Sequence, residues 1–125
     1  MDVTPMVAEG LQVIAGYGDG GFTITGERYD HAVIVCPESC QPWPPADPAA
    51  FTLMDFEPLW QLSPPPDVVL IGCGQRGQML APSLRAELRA KGLVCDAMDT
   101  GAACRTYNVL LSEGRLVAAA LLPVD

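Results

Sequence analysis

Positive charge is scarce in this chain. Seven lysines and arginines stand against fifteen aspartates and glutamates, which leaves a net charge of −8 and an isoelectric point near 4.3. The cations read as scattered, with no cluster along the sequence. Such a surface repels phosphate backbones and anionic headgroups over most of its extent, so no nucleic-acid partner is expected. Histidine is scarcer still: His31 is the only one, and no Ser or Cys nucleophile is evidently paired with it. No triad, P-loop or metal motif is recognisable. C-x-x-C is missing, and Cys36 and Cys40 have no second cysteine pair at zinc spacing. A closed zinc site needs four good ligands, so no metal is expected. Long apolar runs are missing as well. The longest, residues 116–124, is about half of what a membrane-spanning helix requires, so no membrane span is expected. The opening MDVTPMVAEG lacks the basic and apolar regions of a signal peptide.

What is present is aliphatic. Half the residues are hydrophobic but only 6% are aromatic, so the core must come mainly from Val, Leu, Ile and Ala. The five cysteines are odd in number, and Cys36, Cys73 and Cys95 sit in or beside apolar runs. That usage fits a reducing cytoplasm, with cysteine serving as a small hydrophobe and all five thiols free. At 125 residues the chain suits one domain over residues 1–125, with loose termini at 1–10 and 124–125.

The elements follow from patterning. LQVIAGYGDGGFTITGERY reads as two strands around the Gly18-Asp19-Gly20-Gly21 turn, with a bend or bulge at Thr25-Gly26. HAVIVC is a continuous apolar run, expected as a strand buried on both faces. Residues 37–50 read as a proline-rich surface loop, where Trp43 either lies over the core as a lid or stands exposed as a partner anchor. TLMDFEPLWQL suits one or two helical turns, stopped by the prolines at 64–66.

The second half reads as strand 67–71, a helix from Pro82 to the cap glycine Gly92, strand 93–97, a helix from about Thr100 to Gly114, and a last strand in RLVAAALLPV. This β-α-β-α-β order implies right-handed crossovers and a partly parallel sheet. The expected fold is α/β: one mixed sheet, antiparallel at its N-terminal strands, flanked by helices.

DVVLIGCGQRGQM poses the functional question. Gly72-Cys73-Gly74-Gln75-Arg76-Gly77 is a literal G-x-G-x-x-G, and Asp96 follows roughly twenty residues on, as a dinucleotide fold would require. In the true fingerprint the glycine turn passes directly into the helix, so that helix-terminal amides meet the pyrophosphate. Here Pro82 holds the helix start five residues beyond Gly77, and one further strand cannot supply a second mononucleotide half. No dinucleotide or other cofactor is expected, and the glycines read as a turn where another backbone passes closely.

The same sheet edge nevertheless gathers the best candidate ligand or partner surface: Gly72, Gly74, Met98, Asp99, Thr100, Arg105 and Asn108. Open α/β sheets place ligands at this edge. Arg105 is within reach of Asp99, and Asn108 shares its helix face. The structural alternative is a cap from Asp99 or Thr100, an ion pair between Asp99 and Arg105, and backbone contacts from Asn108. Cys104 either gains reactivity from the helix dipole or is simply closely packed, as its neighbours Ala102 and Ala103 suggest. No catalytic residue is assigned.

GFTITGERY, HAVIVCP, VLIGCG and above all MDTGAACRTYNVLLSEGR resemble the domain shared by the mitochondrial complex I assembly factor 3 family and its small bacterial and archaeal relatives. The resemblance spans roughly residues 11–123, and the chain reads as a bacterial member. It implies a single α/β domain without an established cofactor. Its mitochondrial members assist assembly of the NADH:ubiquinone oxidoreductase through contact with another assembly factor. A protein partner is therefore implied, either respiratory complex subunits or another assembly factor. The family commonly has Thr between the first two glycines, and this chain has Cys73. The expected role is a non-enzymatic, cytoplasmic interaction factor, held near the inner membrane through a partner. The alternative is a small-molecule-binding protein or enzyme using the edge near Gly74 and Asp99.

Overall fold

The computed structural model describes residues 10–45 and 47–125. Three short strands, β1 (Ile14–Gly18), β2 (Gly21–Ile24) and β3 (Glu27–Tyr29), form an antiparallel meander of their own. Both of its turns are two residues long, and both central residues have positive φ: Asp19 and Gly20 in the first, Thr25 and Gly26 in the second. That is the twist a tight hairpin needs. Thr25-Gly26 is thus a second hairpin turn rather than the expected bend or bulge.

The five-stranded sheet has the order β5-β4-β8-β6-β7. It comprises β4 (Val33–Cys36), β5 (Ser39–Pro42), β6 (Val68–Gly72), β7 (Cys95–Met98) and β8 (Val117–Leu121). β6 runs parallel to both β7 and β8, while β4 is antiparallel to β8 and to β5. The mixed α/β architecture agrees with the sequence, and β4 is buried at every residue. The proline-rich stretch differs: its first part is the edge strand β5. Pro42 is tolerated there because an edge strand leaves one side of its backbone unpaired.

Helices cover the two faces. On one side lie the short turn Leu53–Phe56, its continuation α1 (Glu57–Trp60) and α2 (Pro82–Ala90). They bury Ile34, Val69, Ile71, Leu84 and Leu88 in one core cluster. Trp43 joins this layer as the lid: it is 3% exposed, stacks at 5.2 Å from Phe51, and its indole N–H donates to the Asp55 carbonyl at 2.7 Å. On the other side lie α3 (Thr100–Ser112) and the three-stranded meander. They pack over Val33, Val35, Leu70 and Ala119, the residues alternate to those on the first face.

Both α2 and α3 end on a positive-φ glycine, Gly92 and Gly114. Leu93 N–H bonds to the Leu88 carbonyl, and Arg115 N–H to that of Leu110, which closes each last turn as a Schellman motif. Residues 1–9 of the expected loose N-terminus lie outside the described residues. At the other end Val124 is tied down, since its carbonyl accepts the Gly20 N–H at 2.8 Å. No helix among the described residues is long and apolar enough to cross a membrane.

Candidate functional site

The glycine turn lies where β6, β7 and β8 all end and α3 begins. Thr100 is fully buried and joins them. Its hydroxyl accepts the Gly74 N–H at 2.9 Å and donates to the Leu122 carbonyl at 2.6 Å. Its own N–H bonds to the Gly74 carbonyl at 2.8 Å. Leu122 N–H in turn bonds to the Gly72 carbonyl, and Cys73 N–H to that of Met98. The result is a polar clasp across three strand ends, with its donors and acceptors engaged inside the protein.

Glycine is required at two points of this clasp. A Cβ on Gly72 would come within 2.9 Å of Leu121 Cδ2 and 3.0 Å of Thr100 Oγ1, closer than packed atoms allow. Gly74 has φ +94, a conformation that L side chains rarely adopt. The expected close backbone is found at Gly72, where the Cβ would meet Thr100 Cα at 3.1 Å, but not at Gly74, where nothing lies within 4 Å. As expected, α2 starts at Pro82, away from the glycines. Gly77 lies in the intervening loop, where a Cβ would sit 3.2 Å from the Asp99 nitrogen.

The remaining candidates separate. Asp99, not Thr100, is the N-cap of α3: its carboxylate accepts the Ala102 N–H at 2.9 Å. Arg105 does not pair with Asp99. Its guanidinium donates to the Tyr17 hydroxyl at 3.1 Å, and the one ion pair among the described residues is Arg28–Asp30. Tyr17 also packs against the bare Gly101, whose added Cβ would meet the tyrosine hydroxyl at 2.6 Å. Asn108 is not a surface residue beside the glycines. It is 2% exposed, and its amide holds both backbone groups of Ile14, accepting from N–H at 3.1 Å and donating to C=O at 2.8 Å. Met98 is half-buried and packs towards α3.

Four of the five thiols are poor nucleophiles at neutral pH. Burial pushes Cys104 up to about 12 and Cys40 and Cys95 up to about 11, and it raises Cys73 as well. Close packing therefore outweighs any effect of the helix dipole on Cys104. All five cysteines are free. Cys36 packs into the core on the α2 side and Cys40 against the core on the α3 side, so their side chains diverge and do not suit a bridge. Among the described residues no group of three or more His, Cys, Asp or Glu side chains is gathered closely enough to hold a metal ion.

Two cavities went unseen in the sequence, because each joins residues far apart in the chain. One, of about 390 Å³, lies beside the glycine loop between Phe51, Cys73, Gln78, Leu80 and Ser83. The other, of about 310 Å³, is at the opposite end of the sheet, between Leu11, Cys36, Leu62, Pro64 and Leu116.

Residues 14–122 match the model of the family described as protein of unknown function (DUF498/DUF598). NADH dehydrogenase [ubiquinone] 1 alpha subcomplex assembly factor 3 of Mus musculus is 33% identical over 110 residues, covering 88% of this chain and 60% of the mouse protein. The chain thus spans about three-fifths of that relative's length. A crystal structure of a Bordetella parapertussis protein is 40% identical, with a TM-score of 0.84, covering 93% of this chain and 98% of that one. The crystal structure of a protein described as an outer membrane protein from Bartonella henselae is 36% identical, with the same TM-score and the same coverage. With nearly its whole length matched, the chain belongs to the DUF498/DUF598 family and is a relative of the assembly factor 3 proteins.

Proposed function

We propose that this chain is a non-enzymatic assembly factor that works by protein–protein contact in the cytoplasm, on respiratory complex subunits or another assembly factor. A partner would hold it at the inner face of the membrane. The observation that carries this reading is the 33% identity to the mouse assembly factor across 88% of the chain. The geometry of the glycine edge supports it. Gly72, Gly74, Thr100 and Asn108 engage their polar groups internally, and the raised thiols supply no ready nucleophile.

A second reading rests on the cavity of about 390 Å³ beside Cys73 and Gln78. Its size is within the range of small-molecule sites, and a bound metabolite there would make the chain a ligand-binding protein.

The two separate in one experiment: affinity capture of the tagged chain from native membranes and from the soluble fraction, after mild cross-linking. Recovery of identified subunits of the NADH:quinone oxidoreductase supports the assembly reading. A small molecule retained at one equivalent, with no such subunit recovered, overturns it in favour of the second. The Bartonella relative is described as an outer membrane protein, so fractionation belongs to the test. Recovery of the chain with the outer membrane would overturn the cytoplasmic assignment.

A further inference from the structure

The cations are not evenly spread along the chain. Arg76, Arg85, Arg89 and Lys91, four of the seven, fall within residues 76–91, where Glu87 is the one acidic residue. This segment carries net positive charge in a chain whose total is −8. That clustering stands in the order of the residues itself and corrects the reading of the cations as scattered. The helix adds that Arg85 and Arg89, four apart, share one face.

On α2 the buried Leu84 and Leu88 mark the inward face. Ser83 and Glu87 line the cavity shared with Pro48 and Phe51, so they occupy one flank. Arg85 and Arg89 lie about 100° round the helix from the buried face in the other sense, on the flank toward β7. Both are exposed, and among the described residues neither enters an ion pair. Arg85 is near enough to Cys95 to act on its thiol. Lys91 is engaged elsewhere, 5.1 Å over the Trp60 ring.

β7 is an edge of the five-stranded sheet, and among the described residues β6 is its one partner. The Val94 and Met98 carbonyls accept from Val69 and Cys73 on the β6 side, each at 2.8 Å. By the two-residue period of a strand, Asp96 also faces β6, and the N–H and C=O groups of Cys95 and Ala97 point outward. Val94, 49% exposed, stands at the start of this edge.

We infer that the open edge of β7, flanked by Arg85 and Arg89, is the docking strip for an acidic, extended protein segment that adds to the sheet as a further strand. The spacings agree. Two residues four apart on a helix are separated by about 6 Å along its axis, and alternate residues of a strand by about 6.6 Å. An incoming segment with Asp or Glu at every second position sets two carboxylates against the two guanidiniums. Its backbone bonds to Cys95 and Ala97 at the same time.

A membrane surface fits less well, since a plane of anionic headgroups meets the field of the whole acidic molecule. A peptide feels mainly charges within a screening length of about 8 Å. A second copy of this chain fits less well too. Two-fold pairing of β7 with itself brings each Arg85 and Arg89 towards its own copy, like charge to like.

The inference rests on the reading of the chain as a protein-interaction factor, and it names the surface and the partner's chemistry. The probe is a synthetic octapeptide alternating Glu and Val, titrated into the 15N-labelled chain beside its Lys–Val counterpart. Expected are saturable shifts centred on the Cys95 and Ala97 amides, slower hydrogen exchange there, and no response to the Lys peptide. R85E/R89E, confined to exposed side chains, should weaken binding at least tenfold, and the milder R85A/R89A less.

Equal binding of both peptides, or shifts away from β7, overturns the inference. So does attachment to phosphatidylglycerol vesicles that R85E/R89E abolishes while the Glu peptide fails to bind. Dimerisation that protects the same amides without peptide overturns it in favour of a second copy. Native-membrane capture keeps the two readings apart. Respiratory subunits recovered equally by wild type and R85E/R89E leave the assembly role standing and overturn the strip. Peptide binding at β7 with no respiratory subunit recovered supports the strip and overturns the assembly role.

Discussion

At the scale of single residues, the polar side chains in this chain act mostly as internal fasteners. Thr100 shows why residue type was legible and partner was not. A threonine ahead of a helical pattern reads as a cap, yet its hydroxyl bonds to Gly74 and Leu122, 26 and 22 positions away. Asn108 holds Ile14 across 94 positions, and Arg105 finds Tyr17 across 88. No local pattern encodes such separations, so Arg105 was paired with the nearest acid in sequence, Asp99, which instead caps its own helix. Thr100→Val keeps the shape of the side chain but strands the Gly74 N–H and the Leu122 carbonyl. Each buried orphan costs about 1–3 kcal/mol, so the variant should lose about 2–6 kcal/mol in urea unfolding. Thr100→Ser keeps the hydroxyl and should lose about 1 kcal/mol, for one buried methyl. Equal midpoints for the two variants would show that the hydroxyl bonds contribute nothing.

At the scale of elements, strong patterns were read well and short ones poorly. The β-α-β-α-β half carries long apolar runs, Pro82 at a helix start and glycines at two helix ends, and it folds in that order. Strand β3 (Glu27–Tyr29) exposes Glu27 and Arg28 and only half-buries Tyr29, and β5 contains Pro42 and no buried residue. Neither has an alternating apolar pattern to announce it. At the glycine turn spacing rather than motif carries the reading: α2 starts at Pro82, a gap too long for a dinucleotide fingerprint. The structure adds the reason in hydrogen bonds. The Cys73 and Gly74 N–H groups already bond to Met98 and Thr100, so they do not face a phosphate. NAD at millimolar concentration should therefore leave the melting temperature unchanged. A ligand at about one hundred times its Kd adds roughly 2.7 kcal/mol, a shift of several degrees for a domain this size. A saturable shift of that kind, abolished by Gly74→Val, would mean that the clasp opens to bind the cofactor.

At the scale of the whole molecule, two aliphatic cores on opposite faces of one sheet bury nearly all the cysteine sulfur, and this ties stability to alkaline pH. In the unfolded chain a thiol titrates near 9.0, whereas burial holds Cys95 at about 11 and Cys104 at about 12 in the folded one. Between those values the unfolded state binds fewer protons than the folded state, so stability falls as pH rises. The contribution is fully present below pH 9 and is lost progressively up to about pH 11 for Cys95 and about pH 12 for Cys104. Within its window each thiol steepens the loss by up to ~1.4 kcal/mol per pH unit. The net charge of −8 grows more negative over the same range and adds self-repulsion to the compact state. Composition foretold the burial, since cysteines stood in apolar runs. It could not foretell how deeply each sulfur would lie, which depends on the helix that covers it. Urea unfolding under a phosphine reductant should be nearly flat from pH 7 to 8.5 and fall steeply above 9. Cys95→Ala/Cys104→Ala, less stable at neutral pH because of the cavities it leaves, should show a distinctly shallower alkaline fall. Parallel curves for the variant and the wild type would show that charge repulsion alone, rather than the buried thiols, governs the alkaline limit.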